Sequence, residues 1–209
     1  MAEVYPLALP THTGIASVTW TSENTISLTE SPFTYSQQVV KHAGQRWTGT
    51  FVLPRMKRDD ADYWNAFLLR LDGSYGTFLL GDPLAATPRG SAGVSSGTPR
   101  VNGGSQSGNE LAIDGLPASA SGYLKAGDYI QLGSGVTSRL HRVLQDVNTD
   151  ALGQATLNIW PDLRSSPVDG ASVVVTNAKG VFRLSTNTID YNISEDSIYT
   201  LSFSFVEAL

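Results

Sequence analysis

Apolar and polar positions alternate along most of this chain. Ala16, Val18 and Trp20 fall on every second residue, as do Trp47, Gly49, Phe51 and Leu53, which predicts strands with one buried face. Residues 35–41 read as a further strand. One segment changes period: Trp64, Phe67, Leu68 and Leu71 stand at i, i+3, i+4 and i+7 and make one apolar stripe, predicting a helix over about 59–71. Asp59, Asp60 and Asp62 lie in its first turn, Arg70 in its last and Gly73 just beyond, each where the helix dipole or a left-handed cap favours it. A strand over 77–80 then ends at the turn Gly81-Asp82-Pro83.

Residues 88–99 are poor in apolar side chains and rich in Pro, Gly and Ser, so they read as a crossing into a second domain. Short strands resume at 111–113, 129–132, 140–147, 155–160 and 172–175, a spacing that suits a small barrel or sandwich. The C-terminal part adds strands at 181–184, 188–193 and 197–206, the last with Tyr199, Leu201, Phe203 and Phe205 in strict alternation. Local pattern does not say which sheet that strand completes. The first 80 residues need partners to close a sheet around the helix stripe. The expected architecture is therefore all-β with one helix: a β-sandwich from residues 1–88 plus 179–209, interrupted by a small β-barrel, OB-like, at 89–178.

Composition narrows the function. The 209 residues carry 14 Lys and Arg against 19 Asp and Glu, net −5, with no basic stripe, which argues against nucleic-acid binding. No cysteine is present, excluding disulfides, thiolate nucleophiles and the usual zinc knuckles and fitting a reducing compartment. The first six residues lack the basic and apolar regions of a secretory signal, and no run of 18 apolar residues could span a bilayer. No membrane partner is expected.

Candidate chemistry is sparse. His12, His42 and His141 lie far apart, without metal-ligand spacing. Gly93-Val94-Ser95-Ser96-Gly97 has the letters of a nucleophile elbow, but no helix follows and the setting is a linker. Asp146, Asn148 and Asp150 copy the first ligands of a calcium loop. Ala151 stands where its glycine belongs and Leu157 where its bidentate Glu belongs, so a polar hairpin loop is the simpler reading. Asp59, Asp60 and Asp62 serve the helix dipole rather than acid–base chemistry. Asn192-Ile193-Ser194 is a glycosylation sequon only in a secreted chain. No catalytic, cofactor-binding or metal residue is assigned, and no enzyme is expected. Trp20, Trp47, Trp64 and Trp160 could stack on sugars, but three of them sit on apolar faces. Trp160, beside Pro161, is the one expected to be exposed.

The segment from His42-Ala43-Gly44-Gln45-Arg46-Trp47 through the helix to Gly73-Ser74-Tyr75-Gly76-Thr77-Phe78-Leu79-Leu80-Gly81-Asp82-Pro83 resembles the belt domain of distal tail proteins, the tail-tip (baseplate) ring proteins of long-tailed siphophages. Residues 124–133, 140–143 and 157–164 are similar to the barrel module often carried by that family. The resemblance implies a virion structural protein made in the host cytoplasm and placed at the tail tip. It implies a hexameric homo-oligomeric ring joining the tail tube protein to the hub and fibre proteins. The insert here is shorter than the family's larger carbohydrate-binding insertions, which favours a connector role. The alternative is a carbohydrate-binding accessory module of the tail or cell surface.

Overall fold

A computed structural model describes residues 3–11, 13–94 and 97–209. The strands are β1 (Leu7–Ala8), β2 (Ser17–Glu30), β3 (Gln37–Val52), β4 (Phe78–Leu80), β5 (Arg100–Val101), β6 (Gly108–Asp114), β7 (Tyr129–Leu132), β8 (Arg139–Val143), β9 (Ala155–Leu163), β10 (Val173–Val174), β11 (Gly180–Leu184), β12 (Tyr191–Ile193) and β13 (Tyr199–Glu207); helix α1 is Arg58–Arg70. They form two sheets. The first runs β1-β4-β11-β13-β3-β2, with β12 paired to β13; the second runs β10-β7-β8-β9-β6-β5. The first is mixed, since β1 and β4 are parallel while its other pairs are antiparallel.

The second sheet nearly closes on itself. A bridge joins Arg100 to Ser172, and the amides of Val101 and Val173 donate to the carbonyls of Ala171 and Pro99 at 2.9 Å. All its strands lie between Arg100 and Val174, whereas the first sheet draws on both ends of the chain. The C-terminal strand β13 sits inside the first sheet between β11 and β3. The protein is thus β-rich with one helix and a barrel-like insert.

One face of the first sheet is apolar and covered. Its inward row, Trp47, Gly49 and Phe51 of β3 with Leu53 just past its end, lies beside Leu201, Phe203 and Phe205 of β13. Helix α1 covers one end of this face, where Trp64 packs on Phe51 at 5.7 Å and Phe67 on Phe78 at 5.9 Å between ring centroids. The barrel covers the other end through Tyr129, Leu140 and Trp160, which join the same core. Gly49 is required by this packing: a Cβ there would lie 2.0 Å from the Thr19 carbonyl oxygen and 2.6 Å from the Phe205 ring. The opposite face, with Thr19, Thr21, Thr48, Thr50, Ser202 and Ser204, is polar, as expected for an antiparallel sheet with one wet side.

The helix matches its stripe, with Trp64, Phe67, Leu68 and Leu71 all buried. Asp72 and Gly73 take positive φ and stop it. The Pro/Gly/Ser stretch is less loose than its composition suggests. The amides of Ser91 and Ala92 donate to Gly122 and Tyr123, and the buried Asp128 carboxylate accepts from the amides of Arg89, Gly90 and Lys125. No helix among the described residues is long and apolar enough to cross a membrane.

Candidate interaction surface and the seam beneath it

Strands β2 and β3 continue well past the body of the molecule as a two-stranded arm. Pairing runs from Ser17↔Val52 out to Glu30↔Gln37, broken by a bulge where His42, Ala43 and Gly44 oppose the single residue Thr25. Every residue from Thr21 to Glu30 and from Gln37 to Gly44 is exposed. At 3.3 Å per residue, the stretch from Ser22 to Glu30 reaches about 25 Å. A compact turn closes it, with the Tyr35 amide donating to the Ser31 carbonyl and the Ser31 amide to that of Ser36, both at 2.9 Å.

The register gives the arm one apolar side. Ile26 lies opposite Lys41 and Leu28 opposite Val39, so Ile26, Leu28 and Val39 share a face, with exposures of 56%, 59% and 60%. Phe33 and Tyr35 are exposed at the tip. Arg46 pairs with Glu23 at 2.6 Å and Lys41 with Asp162 of β9 at 3.0 Å, while Glu30 accepts from the Gln37 side-chain amide. The Glu23 carboxyl is held below the usual range, chiefly by its hydrogen bond from Arg46. The outer edge of β2 has no strand partner among the described residues, and its 14 residues contain neither Pro nor Lys, the side chains that ordinarily block edge pairing.

The root of the arm is clamped to the barrel. The Trp160 indole N–H donates to Asn24 Oδ1 at 3.0 Å, the Asp162 amide to Gln45 Oε1 at 2.7 Å, and the Trp47 indole N–H to the Leu140 carbonyl at 3.0 Å. Arg164 donates through Nη2 to the Gln45 carbonyl and to Glu207 Oε2, and the Trp47 amide also donates to Glu207. Glu207 is 5% exposed, and burial raises its carboxyl above the ordinary value despite Arg164. His141 lies beside them, 4% exposed. Burial lowers its imidazole from 6.5 to about 4, against the opposing effect of the bond to the Pro161 carbonyl.

The sequence-marked residues take ordinary structural places. His12 and Ser95 lie outside the described residues. His42 is on the arm, its Nε2 3.1 Å from the Ser27 hydroxyl. Asp146 accepts from the Ala126 amide and Lys125 Nζ, Asn148 from the Gly122 amide, and Asp150 from the amides of Leu152 and Gln154, so these oxygens hold loops together. Among the described residues no group of three His, Cys, Asp or Glu is arranged for a metal. Asp62 pairs with Arg58 one turn away. Asn192 and Ile193 are exposed on β12, which pairs with β13. Trp160, expected to be exposed, is half-buried and meets Trp47 edge-on at 4.4 Å, because it packs in the seam between the sheets.

The arm was not foreseen beyond the strand fragment at 35–41. Its signal was the alternation Thr25-Ile26-Ser27-Leu28-Thr29, a period-two run lying just across a turn from 37–41. In comparison with known proteins, no family model and no curated protein sequence matches the chain.

Proposed function

We propose that this chain is a structural protein of a phage tail tip, without catalytic activity, that assembles into a homo-oligomeric ring joining the tail tube to the hub and fibres. One observation carries the reading: an arm about 25 Å long counted from its clamped root, with no net charge, with Ile26, Leu28 and Val39 side by side and exposed on one face, and open along one edge. An uncovered edge and face of this kind are an assembly surface or an aggregation hazard. A cyclic head-to-tail contact would cover both in every subunit. The number six rests on the sequence resemblance alone. Light scattering on the purified chain, followed by negative-stain imaging, tests the proposal. Rings of about six subunits are expected. A protein that stays monomeric at high concentration, alone and with tube or hub protein, overturns it.

A second reading, a carbohydrate-binding accessory module, is favoured by the shallow cleft where Trp20 and Trp160 meet Asn24 and Arg142. Tryptophan fluorescence titrated with a panel of surface glycans separates the two; no quenching removes the second.

A further inference from the structure

A cavity of about 300 Å³ lies on the barrel at the edge of its seam with the first sheet, lined by barrel residues together with Glu207 of β13. His141 lines it. Its Nδ1 lies 2.7 Å from the Pro161 carbonyl oxygen. A carbonyl only accepts, so Nδ1 carries the proton, and in the neutral ring Nε2 is a bare acceptor. No described residue donates to Nε2. Nor is it sealed from solvent, unlike the partnerless buried atoms Trp20 Nε1, Asn65 Oδ1 and Ser91 Oγ. The ring thus leaves one acceptor without a protein partner and open to whatever fills the cavity, water or a ligand donor.

Positive charge surrounds that acceptor. Arg139 precedes His141 by two residues on β8, on the same face of the strand, and lines the same cavity. Its only described hydrogen bond goes to the Ser138 carbonyl, and no carboxylate pairs with it. Arg164, across the cavity, engages Glu207 and Gln45 through Nη2 alone. The ionisable lining is therefore two guanidiniums, one carboxylate that is already hydrogen-bonded, and one imidazole. Leu132, Leu163, Pro167 and Val168 give the remaining wall an apolar part, and Thr137, Ser165 and Ser166 line the rest of it. The volume stands at the small end of ligand pockets.

We infer that this cavity binds a small carboxylic acid that carries an N–H or O–H donor next to its carboxylate and an apolar side group. The carboxylate meets Arg139 and the free edge of Arg164, the donor satisfies His141 Nε2, and the side group lies on Leu132, Leu163 and Val168. Burial keeps the ring neutral far below neutral pH, which preserves the acceptor. This chemistry is shared by a free N-acyl amino acid and by the C-terminal residue of a peptide. It stands on the seam alone and does not depend on ring assembly.

Isothermal titration calorimetry of the full chain with N-acetyl-leucine tests the site, beside N-acetyl-leucinamide, a short peptide ending in leucine and the same peptide amidated. Both acids are expected to bind, and both amides about tenfold or more weaker, the loss of a charge-assisted bond. The peptide binding tighter than N-acetyl-leucine points to a chain terminus as the occupant; equal affinity points to the free acid. Arg139→Gln, at a half-exposed position, should fold and lose about tenfold in affinity for both acids. No heat at millimolar acid, equal binding of acid and amide, or an Arg139→Gln variant that binds unchanged overturns the inference.

Discussion

The imidazole of His141 is neutral in the folded protein because burial penalises its charged form, and the nearby charges of Arg164 and Arg139 act in the same direction. Its folded value, about 4, lies below the ordinary 6.5, so between these two pH values the unfolded chain binds more protons. The stability this group contributes is present above pH 6.5 and is lost as the pH falls through about 4, some 3 kcal/mol in all. Glu207, raised by burial, acts in the opposite sense: its contribution is present below its ordinary value of 4.5 and is lost as the pH rises through the higher folded value. The comparison that isolates His141 is therefore His141→Gln, which retains a donor for Pro161. Urea unfolding between pH 4 and 6.5 should show a shallower acid loss in the variant than in the wild type, and parallel curves would refute the assignment. None of this was legible in the sequence. His141 could be placed on an alternating strand, but its neighbours Pro161, Arg164 and Glu207 arrive from 20 or more residues away.

At the scale of elements, helix α1 was readable because burial wrote its period directly into the sequence: Trp64, Phe67, Leu68 and Leu71 face one core. The arm was not, because neither of its strands buries a face in the isolated chain and nothing forces a long apolar alternation on residues 21–30. What remains is Ile26, Leu28 and Val39, which the register puts side by side. Replacing the directly opposed pair by opposite charges, Leu28→Glu with Val39→Lys, keeps a favourable cross-strand pair. Both sites are more than half exposed, so chain stability should change by no more than about 0.5 kcal/mol. The ring assembly proposed above should be lost. Urea unfolding and light scattering on the same sample separate the two effects, and a variant that assembles like the wild type would show that the arm face is not the contact.

In the whole molecule, the two sheets share their packing. Tyr129, Leu140 and Trp160 of the barrel belong to the core of the first sheet, and the Trp47 indole is hydrogen-bonded to Leu140 across the seam. The barrel and the first sheet should therefore unfold together, giving coincident transitions by far-ultraviolet circular dichroism and tryptophan fluorescence. Two separated transitions would mean that the seam holds less than its contacts suggest. The sequence by itself determined the β-rich class, the position of the helix and the apolar faces of 47–53 and 199–205, because periodicity reports burial residue by residue. Tertiary structure alone decided that β13 lies between β11 and β3, that β2 and β3 run on as an arm, and that Arg139, His141, Arg164 and Glu207 meet around one cavity. Those are pairings between distant segments, and no local pattern of polar and apolar residues encodes which edge or face a segment will meet.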